Sequence, residues 1–168
     1  MSRIVIGLIG IAVLVTLTGV ALAEGGTLIG KQSFDTELAG FGKVRFVSLI
    51  DDRSGPGKCR FELRRGGLTV YRFPKAHAND WSCWEITAIA FADVNGDGRK
   101  DVIVMAKAIT GIGPTGARTF NANTIYYNTG KGRFATVAVV NELASKYDHI
   151  GKLKRALAKS PYASIKPR

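Results

Sequence analysis

The sequence predicts a mainly β, compact antiparallel domain that ends in one α-helix. Three observations carry this. Short runs alternate apolar and polar residues through most of the chain. Glycine-rich turns separate those runs. Only the last segment repeats its apolar residues with a helical period. The 168 residues give room for a single domain and a single core. That domain is expected to span 24–168.

The first residues, MSRIVIGLIGIAVLVTLTGVALAEGG, place Arg3 before an apolar run from Ile4 to Val20. Ala21-Leu22-Ala23 then forms a small-x-small cleavage box, so residues 1–23 read as a secretory signal peptide. The rival reading is an uncleaved anchor, since about 20 apolar residues can span a bilayer. Both readings place the domain outside the cytoplasm, in the periplasm or secreted.

Glycines and polar residues dominate Gly25 to Gly42. Lys43 to Ile50 sets Val44, Phe46 and Ser48 against Arg45, Val47 and Leu49, the period of a strand. Gly-Pro-Gly interrupts the chain at 55–57. From Cys59 to Phe73 the pattern is a hairpin: Phe61 and Leu63 alternate with Arg60, Glu62 and Arg64, and Gly66-Gly67 supplies the turn. Strands are expected at Trp84–Ala92 and Asp101–Ile109. A long Gly/Pro loop follows, Thr110 to Thr119. Asn123 to Val139 then reads as strand, turn at Asn128–Gly132, and strand.

From Asn141 onward Leu143, Tyr147, Ile150, Leu153 and Leu157 line one helical face. One helix is expected over about 141–159, with Asn141 as N-cap and Pro161 as its stop. The opposite face carries Lys146, Lys152, Lys154, Arg155 and Lys159. It reads either as a solvated face or as a surface for anionic lipid or polymer.

The formal charge of +11 implies attraction to polyanions. An exported basic protein is not expected to regulate DNA, so no nucleic-acid partner is expected. The only cysteines are Cys59 and Cys83. In an oxidising compartment an even count points to a disulfide, the alternative being two buried thiols. A bridge across a loop of that length contributes roughly 3 kcal/mol in the chain-entropy picture.

Carboxylates concentrate in FADVNGDGRKDVIVMAK, Phe91 to Lys107. Asp93, Asn95, Asp97 and Asp101 occupy positions 1, 3, 5 and 9 of a loop with Gly98 at position 6. Hard divalent cations take six to eight oxygens, and alternate residues of a tight turn aim at one centre. Ca2+ is therefore the expected ion, held by those four side chains and the Arg99 carbonyl. An EF-hand needs Glu at position 12, where Val104 stands, and helices on both flanks. A metal-free Asn/Asp/Gly turn is the plainer alternative.

The same stretch resembles the core of the FG-GAP or VCBS-type repeat, in which D-x-[DN]-x-D-G-x-x-D joins two strands of a propeller-like sheet. A single copy, followed by TIYYNTGKGRF, is similar to small periplasmic calcium-binding relatives of the inhibitors of invertebrate-type lysozyme. The resemblance covers about Trp84 to Phe134. It implies a propeller-like β fold with Asp93, Asn95, Asp97 and Asp101 as ligands.

The loop Thr110 to Phe120 is a candidate binding loop through Gly111, Gly113, Thr115 and Arg118, or a plain hairpin connection. Trp81, Trp84, Tyr71 and Phe73, with Arg60, Arg64, Arg65 and Arg72, make a candidate basic aromatic face. His77 and His149 stand in no catalytic or metal-ligand motif, and no catalytic residue is expected. The expected function is an exported, calcium-stabilised, non-enzymatic binding domain of the cell envelope. Its partner would be a protein or an anionic envelope polymer, with membrane attachment only through an uncleaved leader. The alternative is an inhibitor or immunity protein against a lysozyme-like wall hydrolase.

Overall fold

The computed structural model describes residues 26–51, 57–111 and 116–167. The segment expected to be a signal peptide, residues 1–23, lies outside them, as do Gly113 and Thr115. The described chain is mainly β, with two five-stranded antiparallel sheets and two short helices.

The first sheet contains β1 (Thr27–Leu28), β2 (Phe34–Leu38), β3 (Gly42–Asp51), β4 (Lys58–Arg65) and β5 (Leu68–Arg72). β3 is its centre. β4 pairs along one edge of β3, and β1 and β2 follow each other along the other edge. The Gly66-Gly67 turn between β4 and β5 is where the sequence places it. Both glycines have positive φ, 55° and 83°, which a side chain resists. β1 and β2 fall in the segment that the sequence leaves without structure. β2 is visible only through its partner, because its Phe34–Leu38 register against Gly42–Phe46 supplies the context that its own pattern lacks.

The second sheet contains β6 (Ser82–Ala92), β7 (Asp101–Thr110), β8 (Arg118–Asn121), β9 (Thr124–Asn128) and β10 (Phe134–Ala135). β7 is its centre, with β6 on one edge and β8 and β9 sharing the other. β8 forms inside what reads as the end of a long loop. It folds Arg118 to Asn121 back against Lys107 to Thr110.

The sheets face one another across a core in which Phe46, Phe61 and Leu63 meet Val102, Val104 and Tyr126. Cys59 on β4 and Cys83 on β6 form a disulfide between the sheets. β7 is apolar on both faces. Val102, Val104 and Ala106 enter the shared core, while Ile103 and Met105 face a second cluster. That cluster is closed by α1 (Ala138–Ala144) and α2 (Ile150–Ala158), through Val140, Ala144, Leu153 and Leu157.

The single helix expected over 141–159 is thus two. Asn141 is not a cap: it is buried in α1, and its Oδ1 accepts the Ile125 N–H at 2.9 Å. Asn123 explains the break. Its Nδ2 donates to the carbonyls of Ala144 and Tyr147, both at 2.9 Å, taking acceptors that a continuous helix would use. His149 then opens α2 as N-cap, its Nδ1 accepting the Gly151 N–H at 3.0 Å. Among the described residues no helix is long and apolar enough to cross a membrane.

Candidate metal centre

The acidic loop joins β6 to β7, with strands on both sides. Asp93 is its hub. Oδ1 accepts the N–H groups of Gly96 at 2.7 Å and of Asn95 and Asp97 at 3.2 Å, while Oδ2 accepts that of Gly98 at 2.8 Å. Burial acts to raise the Asp93 carboxyl, but the N–H groups of Gly98, Gly96, Asp97 and Asn95 outweigh it and hold the pKa below the usual carboxylate value. Gly96 and Gly98 have φ of 73° and 81°, the left-handed conformation that turns these N–H groups inward.

Asp101 is the opposite case. It is wholly buried at the first position of β7. Its Oδ2 accepts Val94 N–H at 3.0 Å and its Oδ1 accepts Asn128 N–H at 2.8 Å. Burial pushes its pKa up to about 6, with the Asp97 and Asp93 charges adding to the rise against those two hydrogen bonds. The three carboxylates are therefore close enough to feel one another's charge.

Asp97 Oδ1 accepts the Arg99 N–H at 2.9 Å, and its Oδ2 accepts from Asn95 Nδ2 and the Arg99 guanidinium. Arg99, expected to offer its carbonyl, is also engaged through its side chain, which donates from Nε to the Asn128 carbonyl at 2.9 Å. Asn95 is 5% exposed. Its Nδ2 also donates to the Ile165 carbonyl at 2.9 Å, while its buried Oδ1 has no hydrogen-bond partner.

Two residues that sequence reasoning passed over complete the loop's surroundings. Asn128 bonds Asp101 through its N–H and the Ala39 carbonyl through Nδ2 at 3.0 Å, tying the loop to the β2–β3 turn of the other sheet. Ile165 brings the C-terminal tail over Asn95. The Asn128-Thr129-Gly130 turn signal marks the first of these; nothing local marks the second.

The donor set is all oxygen, which suits a hard cation. Asp101 spends one N–H bond on each oxygen, leaving lone pairs on both. Asn95 Oδ1 spends none. Among the described residues no three His, Cys, Asp or Glu side chains are gathered as a ready metal-binding group. In this arrangement the carboxylates serve backbone N–H groups and Arg99.

The other sequence-marked residues separate. Gly111 lies where the strand pair β7–β8 opens, and a Cβ there would collide with the Gly116 carbonyl. The described ends of that loop thus form a close hairpin connection, and Arg118 is exposed in its pairing with Thr110. The aromatic face is not one surface. Tyr71 and Phe73 pack with the shared core, whereas Trp81 and Trp84 are 37% and 59% exposed. His77 Nδ1 stands 3.2 Å from Asp80.

No protein-family model, curated protein or solved structure matches this chain.

Proposed function

We propose that this protein is an exported, non-enzymatic binding domain whose β6–β7 loop is clipped by calcium. The observation that carries the reading is the loop itself. Three carboxylates within nine residues stand beside a buried Asn95 oxygen that has no partner. A buried oxygen left unpaired costs about 1–3 kcal/mol, and a cation would satisfy it. Asp93, Asn95, Asp97 and Asp101 would hold the ion with the Arg99 carbonyl. The ion would supply charge: it would offset the mutual repulsion of the carboxylates and lock the β6–β7 connection. The likeness to FG-GAP and VCBS-type repeats, and a propeller-like reading of the sheets, belong to the same proposal. Their support is that an antiparallel strand pair flanks the motif.

The disulfide fits an oxidising compartment and, with the leader-like residues 1–23, supports export to the periplasm or beyond. The charge of +11 favours a partner that is an anionic envelope polymer or a protein with an acidic face.

The test is thermal unfolding of metal-stripped protein with and without calcium. At calcium about 100-fold above Kd the ion should add about 2.7 kcal/mol, a rise of about 8 °C in Tm for a domain of this size. Asp97→Asn should remove the rise. An unchanged Tm in millimolar calcium would sink the proposal.

A further inference from the structure

A concavity of about 730 Å³ opens beside the acidic loop. Its walls come from three places: Asp97 and Arg99 of the loop, Asn128, Thr129, Lys131 and Arg133 at the β9–β10 turn, and Lys166 with Pro167 of the C-terminal tail. Its volume is that of a small-molecule site. Its charge is lopsided. Arg99 is engaged by Asp97, but the side chains of Lys131, Arg133 and Lys166 have no ion-pair or hydrogen-bond partner among the described residues. Three cations therefore face one hollow with nothing to balance them.

The turn is built to present them. Thr129 closes it, its N–H and Oγ1 both donating to the Arg133 carbonyl at 3.1 Å and 3.0 Å. Gly130 has φ of 74°, and a Cβ there would stand 3.3 Å from Arg99 Cδ. The glycine thus lets the Arg99 side chain run against the turn to reach the Asn128 carbonyl. Two loops and the tail are pinned around this hollow, while the cations lining it remain unspent.

We propose that this pocket binds a phosphorylated group carrying two closely spaced negative charges. A phosphate offers several acceptor oxygens and up to two charges, and Lys and Arg donors suit it. A singly charged carboxylate would leave most of the three cations unmatched. The site deepens the anionic-partner side of the proposed function and rests on that reading for where the ligand comes from. The pocket itself requires no calcium.

The experiment is calorimetric titration of the full chain with pyrophosphate in metal-free buffer. One saturable site is expected. Lys131→Ser with Arg133→Ser should weaken it about tenfold or more, as should Lys166→Ala. Lys154→Ala with Arg155→Ala removes the same charge as the first pair from the exposed face of α2 and should leave the affinity within about twofold. Competition by phosphatidic acid vesicles, whose headgroup is a phosphomonoester with up to two charges, would assign the phosphate to a lipid headgroup, and its absence to a soluble or polymer-borne group. No pyrophosphate binding, or an equal loss in the α2 variant, overturns the proposal. Because metal is excluded, this result is separate from the calcium-dependent shift in Tm.

Discussion

β3 and β7 invite comparison. Each spans ten residues, and each is the centre of a five-stranded sheet. Each pairs one long strand on one edge and two short strands on the other. Their outer faces differ completely. Beyond β7, Ile103 and Met105 meet α1 and α2 in an apolar layer. Beyond β3, the neighbouring side chains are cationic: Arg45 on β3 itself, and Arg60 and Arg64 on β4. One carboxylate, Glu62, organises that face. It is 1% exposed and accepts from Arg64 at 2.8 Å and 3.0 Å and from Thr69 at 3.0 Å, with Arg60 and Arg72 at 3.4 Å and 3.7 Å. Val47 and Leu49, cross-strand from Glu62 and Arg60, are nevertheless buried. The methylene stems of long cationic side chains shield such neighbours. One sheet is closed by helices, the other by arginines arranged around one carboxylate.

The difference should appear most strongly at the helix layer. Leu153 is fully buried against β7 and β9. Leu153→Ala should cost about 3 kcal/mol by lost burial and a residual cavity, measured by urea unfolding. Part of the loss should appear as early melting of helical circular dichroism. A loss below about 1 kcal/mol would mean that the helices do not close this sheet as tightly as the comparison requires.

Glu62→Gln should be smaller, about 2 kcal/mol, because the arginines lose the charge that organises them. Its signature is pH. Burial acts to raise the Glu62 carboxyl, but hydrogen bonds from Arg64 and Thr69 and the charges of Arg64 and Arg60 outweigh it, so its pKa lies below the ordinary 4.5. The stabilisation is therefore full above that value and is lost as pH falls through the lower folded pKa. Wild type and variant should differ at pH 7 and converge in acid. A difference that persists at about pH 2 would show packing, not charge, as the cause.

The smallest effect is expected at the rim. Arg45 and Asp35 pair at 3.3 Å with side chains 48% and 83% exposed. A double-mutant cycle should return less than about 0.5 kcal/mol. A larger coupling would extend the Glu62 network to the sheet edge.

These elements also separate what a sequence reveals from what it hides. The alternation in β3 and the hairpin of β4 and β5 were legible because each strand shows one face to a core and the other to polar surroundings. The run VIVMA in β7 was legible as a strand, but its second apolar face did not name the helices that cover it. β2 and β8 were missed because edge strands take their order from a partner already in place. The acidic loop was read as a motif, yet its bracing by Asn128 and Ile165 comes from residues 27 and 64 positions beyond Asp101.

By itself, then, the sequence determined the local turns, the strand periods, the cysteine pair and the crowding of carboxylates between β6 and β7. These depend on φ preferences, side-chain period and short-range charge. Only the tertiary structure decided that the terminal helix divides in two, that Arg99 turns its side chain onto Asp97, and that Lys131, Arg133 and Lys166 meet at one hollow. Each of those depends on groups far apart in the chain competing for the same donors, acceptors and space, and local pattern carries no record of who wins.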